Sequence, residues 1–225
     1  MSFKSSIAWG LVLTLWSPPA RSAERAFESW DDFYREFIRS NAQEVSTSLQ
    51  PRRKGGEQVS RDFEIGDQTL RLFNPPTRTL RLNGKSLRVG MDWPEPGADK
   101  IDLSGALAFT YPGTELLACV QANFQGLGMS GRFQNVRQLT LVFRAENPRG
   151  RARAMSVTGY GFDCRGVYRG GDGWQLTQVV EGETDNGKVL KRWRLGEKEP
   201  TRLAETVTFR VTNDGRILTP DEQRP

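Results

Sequence analysis

Short runs in which apolar and polar residues alternate recur along most of this chain, and they restrict its fold more than any other feature. Leu70 and Leu72 alternate with polar neighbours, and Leu80 and Leu82 do the same. Asn83-Gly84 follows directly, and this dipeptide favours the two-residue turn of a β-hairpin. Because alternation with period 2 places one set of side chains on one face of a strand, the pattern predicts strands with one buried and one wet side.

The same pattern continues to the carboxyl terminus. Predicted strands cover residues 106–111, 136–144, 152–164, 174–181, 189–195, 206–211 and 216–218, with hairpin turns at Asn186-Gly187 and at 213–215. Residues 114–124 fit either a helix or a strand, because apolar residues recur there at both spacings, and we favour the strand. Many short strands with regular turn signals predict a mainly β fold, an antiparallel sandwich or barrel.

Residues 1–23 predict a secretory signal peptide. Lys4 supplies a positive charge, residues 7–16 an apolar core, and small residues at 20–23 a cleavage site. The apolar run is about half of the roughly 20 residues that a membrane-spanning helix needs. We therefore expect cleavage after Ser22 or Ala23, a mature chain that does not span a membrane, and a periplasmic or secreted location.

Residues 24–44 predict an amino-terminal amphipathic helix, which Ser22 would cap if cleavage spared that residue. Apolar side chains at spacings of three and four form one stripe: Phe27, Trp30, Phe33, Tyr34, Phe37 and Ile38. We expect this stripe to pack on the protein's own sheet. Residues 45–61 lack periodicity and carry three consecutive basic residues, so we interpret them as an exposed linker. Residues 62–225 then form a single β-rich domain.

Composition removes several kinds of chemistry. The chain has no histidine, which excludes Ser-His-Asp triads, Cys-His pairs and histidine-ligated metals. It lacks the glycine motifs that bind phosphates, so we expect no cofactor and no metal. The formal net charge is +5, and it would be +3 without Lys4 and Arg21 of the signal peptide. Acidic residues are scattered among the basic ones, which argues against nucleic-acid binding.

Cys119 and Cys164 are the only two cysteines. An even pair in an exported protein predicts one disulfide, because that compartment is oxidising. If residues 156–164 form one strand, a single face carries Tyr160, Phe162 and Cys164. We expect that aromatic face to be the core face.

The stretch after Cys164 concentrates aromatic and basic residues around glycines. Arg165, Tyr168, Arg169 and Trp174 form a candidate binding site, because arginine, tyrosine and tryptophan are enriched where proteins bury a partner surface. We expect both arginines on an exposed turn, where they matter for binding and hardly at all for folding. The alternative interpretation is a structural corner of the sheet.

These observations favour an exported, non-enzymatic binding module that recognises another envelope or secreted protein, as an assembly factor, an inhibitor or an immunity-type protein does. A glycan or an anionic polymer is the alternative partner. Two other functions stay open. A carboxylate-dependent glycan hydrolase or transferase of the envelope would need paired acids, for which Asp92, Asp163 and Asp172 are the candidates. A carrier would hold an apolar ligand inside the barrel.

Overall fold

The computed structural model describes residues 24–45, 52–54, 57–73, 80–87, 89–90, 100–125, 136–144, 152–184, 186–196 and 200–220. Within these residues the chain is mainly β, and its strands form three hydrogen-bonded sheets. The described strand pairs are antiparallel, with one parallel exception in the second sheet. The prediction of a mainly β, antiparallel fold is therefore confirmed.

In chain order the described strands are β1 (Glu24–Phe27), β2 (Gln43–Glu44), β3 (Arg52–Lys54), β4 (Glu57–Ile65), β5 (Gln68–Phe73), β6 (Leu80–Leu82), β7 (Lys85–Leu87), β8 (Val89–Gly90), β9 (Lys100–Ile101), β10 (Leu107–Thr110), β11 (Leu116–Gln125), β12 (Val136–Phe143), β13 (Arg153–Tyr160), β14 (Phe162–Gly170), β15 (Gly173–Glu181), β16 (Gly187–Arg194), β17 (Thr201–Val211) and β18 (Ile217–Pro220). Sheet I has the order β1-β18-β17-β16-β15-β14. Sheet II has the order β2-β10-β11-β12-β13-β8, with β9 also paired to β11, and sheet III has the order β3-β4-β5-β6-β7. The parallel pair is β8 with β13.

Sheet II is buried on both faces, and this explains the ambiguity of residues 114–124. Ala118 and Val120 of β11 pack in one apolar cluster with Phe63 of sheet III. Cys119, between them, packs in a second cluster with Leu176 of sheet I. A strand that is buried on both faces has apolar residues at most positions, so its sequence does not alternate between apolar and polar residues. The segment is a strand, as we favoured.

The predicted linker at 45–61 is wrong over its described part. Arg52–Lys54 and Glu57–Ile65 pair with each other as β3 and β4 at the edge of sheet III. Ser60 is only 2% exposed. Basic and glycine-rich composition predicted exposure, but pairing of the backbone with a neighbouring strand decided the conformation.

The amino-terminal helix is shorter than the sequence predicts. Glu24–Phe27 pairs with β18, and the helix begins only at α1 (Trp30–Asp32), which continues into a π-helical turn (Phe33–Phe37). Ser29 caps it, because the Ser29 hydroxyl accepts a hydrogen bond from the Asp32 backbone N–H at 3.1 Å. Ser22 lies outside the described residues. An edge position on sheet I gave the first residues strand partners that the helical pattern does not reveal.

The aromatic stripe of this segment packs on sheet I, as expected. Phe33 is fully buried, and its ring centroid lies 5.1 Å from that of Phe209 on β17. Phe27, Tyr34 and Phe37 belong to the same cluster as Val207, Phe209 and Ile217 of the sheet. The amino-terminal segment is therefore an integral layer of the core.

A disulfide joins sheets I and II. Cys119 of β11 and Cys164 of β14 are bonded with their Cα atoms 5.7 Å apart, and both are fully buried. They lie 45 residues apart in sequence, which on the chain-entropy model stabilises the fold by about 4 kcal/mol. The predicted pairing is confirmed, and it is compatible with an oxidising, extracytoplasmic location.

Gly161 carries the chain from sheet II into sheet I. The predicted single strand over 152–164 is broken there into β13 and β14, because Gly161 has a φ of +66°. A Cβ at this position would lie 1.7 Å from the carbonyl oxygen of Val179, and the Val179 N–H donates to the Gly161 carbonyl at 2.9 Å. Only a glycine permits both the left-handed backbone and this close approach.

The bend at Gly161 also changes which side chains face the core. Val157 of β13 packs in the same cluster as Phe162 and Cys164 of β14, although odd and even positions of one straight strand would point apart. Tyr160, which we expected on the core face, is 36% exposed. The prediction for Tyr160 is wrong because it assumed an unbroken strand.

Replacing Gly161 by alanine should destabilise the protein by at least about 2 kcal/mol, from left-handed backbone strain together with displacement of β15. Urea unfolding monitored by tryptophan fluorescence would measure the change. Gly171→Ala is the matched control, because no atom lies within 4 Å of a Cβ there, and its midpoint should stay close to the wild type. Equal midpoints for the two variants would contradict the proposed role of the bend.

Candidate binding cleft

A cleft of about 520 Å³ opens beside the bend at Gly161; we call it the central cleft. Sheet I, sheet II and the amino-terminal segment all contribute to it. The lining residues are Trp30, Tyr34, Arg137, Tyr160, Gly161, Asp163, Arg165, Val179, Val180, Glu181 and Lys188. Aromatic and charged side chains thus meet where the two sheets diverge.

An irregularity in β14 aims charged side chains at this cleft. The register between β14 and β15 shifts between Phe162 and Val167, so the intervening residues leave the regular ladder. Gly166 lies within the shift, and a Cβ there would approach the Thr177 hydroxyl oxygen to 2.2 Å. Close packing of this glycine against β15 lets Asp163 and Arg165 project together on the other side.

Side chains form hydrogen bonds with backbone groups along the outer edge of β14. The Cys164 N–H donates to the side-chain oxygen of Gln121 at 2.9 Å, and the Tyr111 hydroxyl donates to the Cys164 carbonyl at 2.5 Å. The Ser40 hydroxyl donates to the Val167 carbonyl at 2.8 Å. Because these backbone groups already have partners, this part of the edge does not offer a free template for an added strand.

Asp163 is held between two arginines. Arg165 donates to both carboxylate oxygens, from Nε at 2.9 Å and from Nη2 at 2.8 Å, and Arg137 donates from Nη1 at 2.8 Å. Burial by itself raises the pKa of Asp163, but the hydrogen bonds and positive charges of Arg165 and Arg137 outweigh it and lower that pKa. Asp163 is therefore ionised at neutral pH although its side chain is only 5% exposed.

Arg165 also joins β14 to the amino-terminal segment. Its Nη1 donates to Asp31 at 2.7 Å, and its guanidinium carbon lies 5.3 Å from the ring centre of Tyr34. Its hydrogen bonds to Asp163 are the largest cause of a raised pKa for Arg165. Burial raises the pKa of the Tyr34 phenol, which stays neutral. The predicted exposed turn is wrong for Arg165, because this residue lies on a strand inside a charged network.

The other three predicted contact residues lie apart from the central cleft. Tyr168 is 9% exposed and its hydroxyl donates to Gln175, while Trp174 is 7% exposed and its indole N–H donates to Glu115. Burial of both rings contradicts their assignment as surface contacts. Arg169 is exposed and forms an ion pair with Glu115 at 2.7 Å. It too lies on β14 rather than on a turn, so the four residues do not form one surface.

The candidate acids do not form a catalytic pair in the described residues. Asp172 is 69% exposed and pairs with Arg194 at 2.8 Å, and it does not line the central cleft. Asp92 lies outside the described residues. A general acid in glycoside hydrolysis needs a raised pKa, whereas the pKa of Asp163 is lowered.

Sequence reasoning missed most of the cleft. Tyr34, Arg137, Tyr160 and Lys188 come from four separate segments that only the folded chain brings together. The local sequence pattern places Tyr34 in the core stripe alone, and it marks Asp163 only as a candidate acid.

Comparisons of this chain with protein-family models, with curated proteins and with solved structures find no match. Over the described part of the chain, no helix is long and apolar enough to cross a membrane. The same residues contain no group of three or more acidic, cysteine or histidine side chains arranged to hold a metal ion.

Replacing Arg165 by alanine should lower the free energy of unfolding by about 1–3 kcal/mol, because Asp163 would keep only part of its hydrogen bonding while remaining buried. Arg169→Ala removes an exposed ion pair and should cost no more than about 0.5 kcal/mol. Denaturant unfolding of the two single variants provides the comparison. Unchanged stability of Arg165→Ala would show that the network does not hold the fold.

Acid should remove the stabilisation that Asp163 provides. Its pKa is lower in the folded state than the unfolded value of about 3.9, so its contribution is complete above that value and disappears as pH falls through the native pKa. The difference in unfolding free energy between the wild type and Asp163→Asn should therefore shrink as pH falls below about 4. A difference that stays constant down to the acid limit of folding would contradict this interpretation.

Proposed function

We propose that this protein is an exported, non-enzymatic binding module that recognises another envelope or secreted protein through the central cleft. The observation that carries the proposal is the cleft itself. Strands of two disulfide-linked sheets position arginines beside the exposed ring of Tyr160. Tyrosine, tryptophan and arginine are the residues that most often dominate binding energy at protein interfaces.

Tyr160 is well placed to contact a partner. It is the large apolar residue that the described part of the chain leaves exposed, and it lines the central cleft together with Arg137. A tyrosine ring offers apolar area and a polar tip at a low cost in conformational entropy. Because Tyr160 lies at the end of a rigid strand, less conformational entropy is lost when a partner binds.

The proposed function includes export of the protein. The predicted signal peptide at residues 1–23 supports a periplasmic or secreted protein, and the Cys119–Cys164 disulfide fits that environment. An inhibitor, an assembly factor and an immunity-type protein all fit a preformed protein-binding cleft.

Tagged wild-type protein should co-purify with a defined partner from its native envelope. Tyr160→Ala should weaken that interaction by about 30-fold, the equivalent of roughly 2 kcal/mol for an interface anchor. Arg169→Ala, at the far end of β14, is the matched control and should retain the partner. Each variant is first checked for an unchanged melting temperature.

Two results would overturn the proposal. Retention of the partner by Tyr160→Ala and its loss in Arg169→Ala would assign recognition to the β14–β15 hairpin and reject the cleft. Hydrolysis of purified envelope glycan by the wild type, abolished in Asp163→Asn, would reject a non-enzymatic function.

A further inference from the structure

The central cleft has an excess of positive charge at its base. Arg137 and Arg165 share one carboxylate, that of Asp163, so these three groups carry a net charge of +1 when Asp31, the other carboxylate on Arg165, is left out. The carboxylate is 5% exposed, whereas the arginine side chains are 36% and 30% exposed. The two arginine side chains are therefore the more accessible charges of this group, although Asp163 also lines the cleft.

The arginines retain unused hydrogen-bonding capacity. A guanidinium has five N–H groups in a planar fork that matches a carboxylate. Among the described residues, the hydrogen bonds of Arg137 all start from Nη1, which leaves Nε and Nη2 for another acceptor. Arg165 uses Nη1 for Asp31 alone.

The role of Asp31 on Nη1 of Arg165 is closer to that of a bound ligand than to that of a structural partner. Its side chain is 70% exposed, in contrast to the buried Asp163 on the other side of the same guanidinium. An ion pair with so exposed a partner is weak, because water competes for both charges. A second carboxylate can therefore replace Asp31 on Arg165 at little cost.

A second cleft, of about 500 Å³, meets the central cleft at this point. Tyr34 and Arg165 line both clefts, and Asp31 lines the second. Trp30 and Tyr160 lie in the central cleft, and Phe109 and Asn41 lie in the second. An extended segment crossing both clefts would meet the cation of Arg165 where they join and the exposed Tyr160 in the central cleft.

We infer that the partner presents an acidic, extended peptide segment, and that one of its carboxylates takes the position that Asp31 holds on Arg165. This inference rests on the proposed function. Trp30 and Tyr160 of the central cleft favour a peptide, because aromatic and arginine side chains together are typical of protein interfaces.

The test measures binding of labelled pentapeptides to the full mature protein by fluorescence anisotropy. One peptide contains glutamate–phenylalanine–glutamate, and its counterpart contains glutamine–phenylalanine–glutamine. The acidic peptide should bind at least about tenfold more tightly, with an affinity that falls as salt increases. Equal binding of the two peptides, or no binding of either at millimolar concentration, would overturn the inference.

Asp31→Asn should raise the affinity of the acidic peptide about threefold to fivefold, because a neutral amide competes less well than a carboxylate for Nη1 of Arg165. Glu36→Gln is the matched control. It removes one negative charge from the same segment, where Glu36 pairs with Arg25 at 2.6 Å and does not line either cleft. An equal gain in both variants would mean that net charge, and not the position on Arg165, determines binding, and the inference would be wrong.

Small competitors identify the ligand chemistry. At constant ionic strength, acetate and the unlabelled acidic peptide should compete better than inorganic phosphate. Stronger competition by phosphate would reject carboxylate recognition, and stronger competition by glucuronate than by the peptide would favour an acidic glycan over a protein segment.

The peptide assay and the co-purification test the two proposals separately. A partner that depends on Tyr160, without a preference for the acidic peptide, would leave the proposed function standing and reject the acidic segment. Preference for the acidic peptide without any envelope partner would support the site chemistry and reject recognition of a protein in the envelope.

Discussion

The close approach of Gly161 to β15 is the constraint on which the rest of the structure depends. At this point the chain leaves sheet II and enters sheet I, with the Gly161 and Val179 backbones in direct contact. The bend brings Phe162 and Cys164 into the core layer that Val157 already occupies. It also turns Tyr160 outward and opens the central cleft beside it. A side chain at residue 161 would push this bend away from β15, beside the cleft.

Three further interactions fasten the layers around the bend. The disulfide between Cys119 and Cys164 joins sheets II and I inside the core. Asp163 receives hydrogen bonds from Arg137 of sheet II and Arg165 of sheet I, so the same junction is held by charge on its outer side. Asp31 and the Tyr34 ring then attach the amino-terminal segment to Arg165. A covalent bond, two ion pairs to a buried carboxylate and a cation–π contact thus act on one strand, β14.

This concentration of constraints bears on binding. A rigid site loses little conformational freedom when a partner docks, which favours affinity without extra contacts. Arg165 is central to both aspects, because it stabilises Asp163 and also presents part of its guanidinium to the two clefts. The interaction with the exposed Asp31 is the weakest link of the network, and it is the one that a ligand can exchange without disturbing the core.

Local patterns determined the elements of this protein. Alternation around Leu70 and Leu80, the Asn83-Gly84 turn and the two cysteines predicted strands, a hairpin and a disulfide that the folded chain contains, because period and turn chemistry act over a few residues. The stripe containing Phe33 likewise predicted its burial on the protein's own sheet.

Only the tertiary structure decided where the helix begins, which rings are buried and what forms the cleft. Strand pairing with β18 replaced the first helical turn at Glu24, and sheet contacts buried Tyr168 and Trp174, which composition alone had placed at the surface. The residues next to Arg165 in sequence do not reveal whether its side chain contacts solvent or Asp163. Its role depends on Arg137, Asp31 and Tyr34, which are distant in sequence, and on a backbone bend that one glycine permits. Period and composition describe neighbours along the chain, whereas a site of this kind consists of neighbours in space.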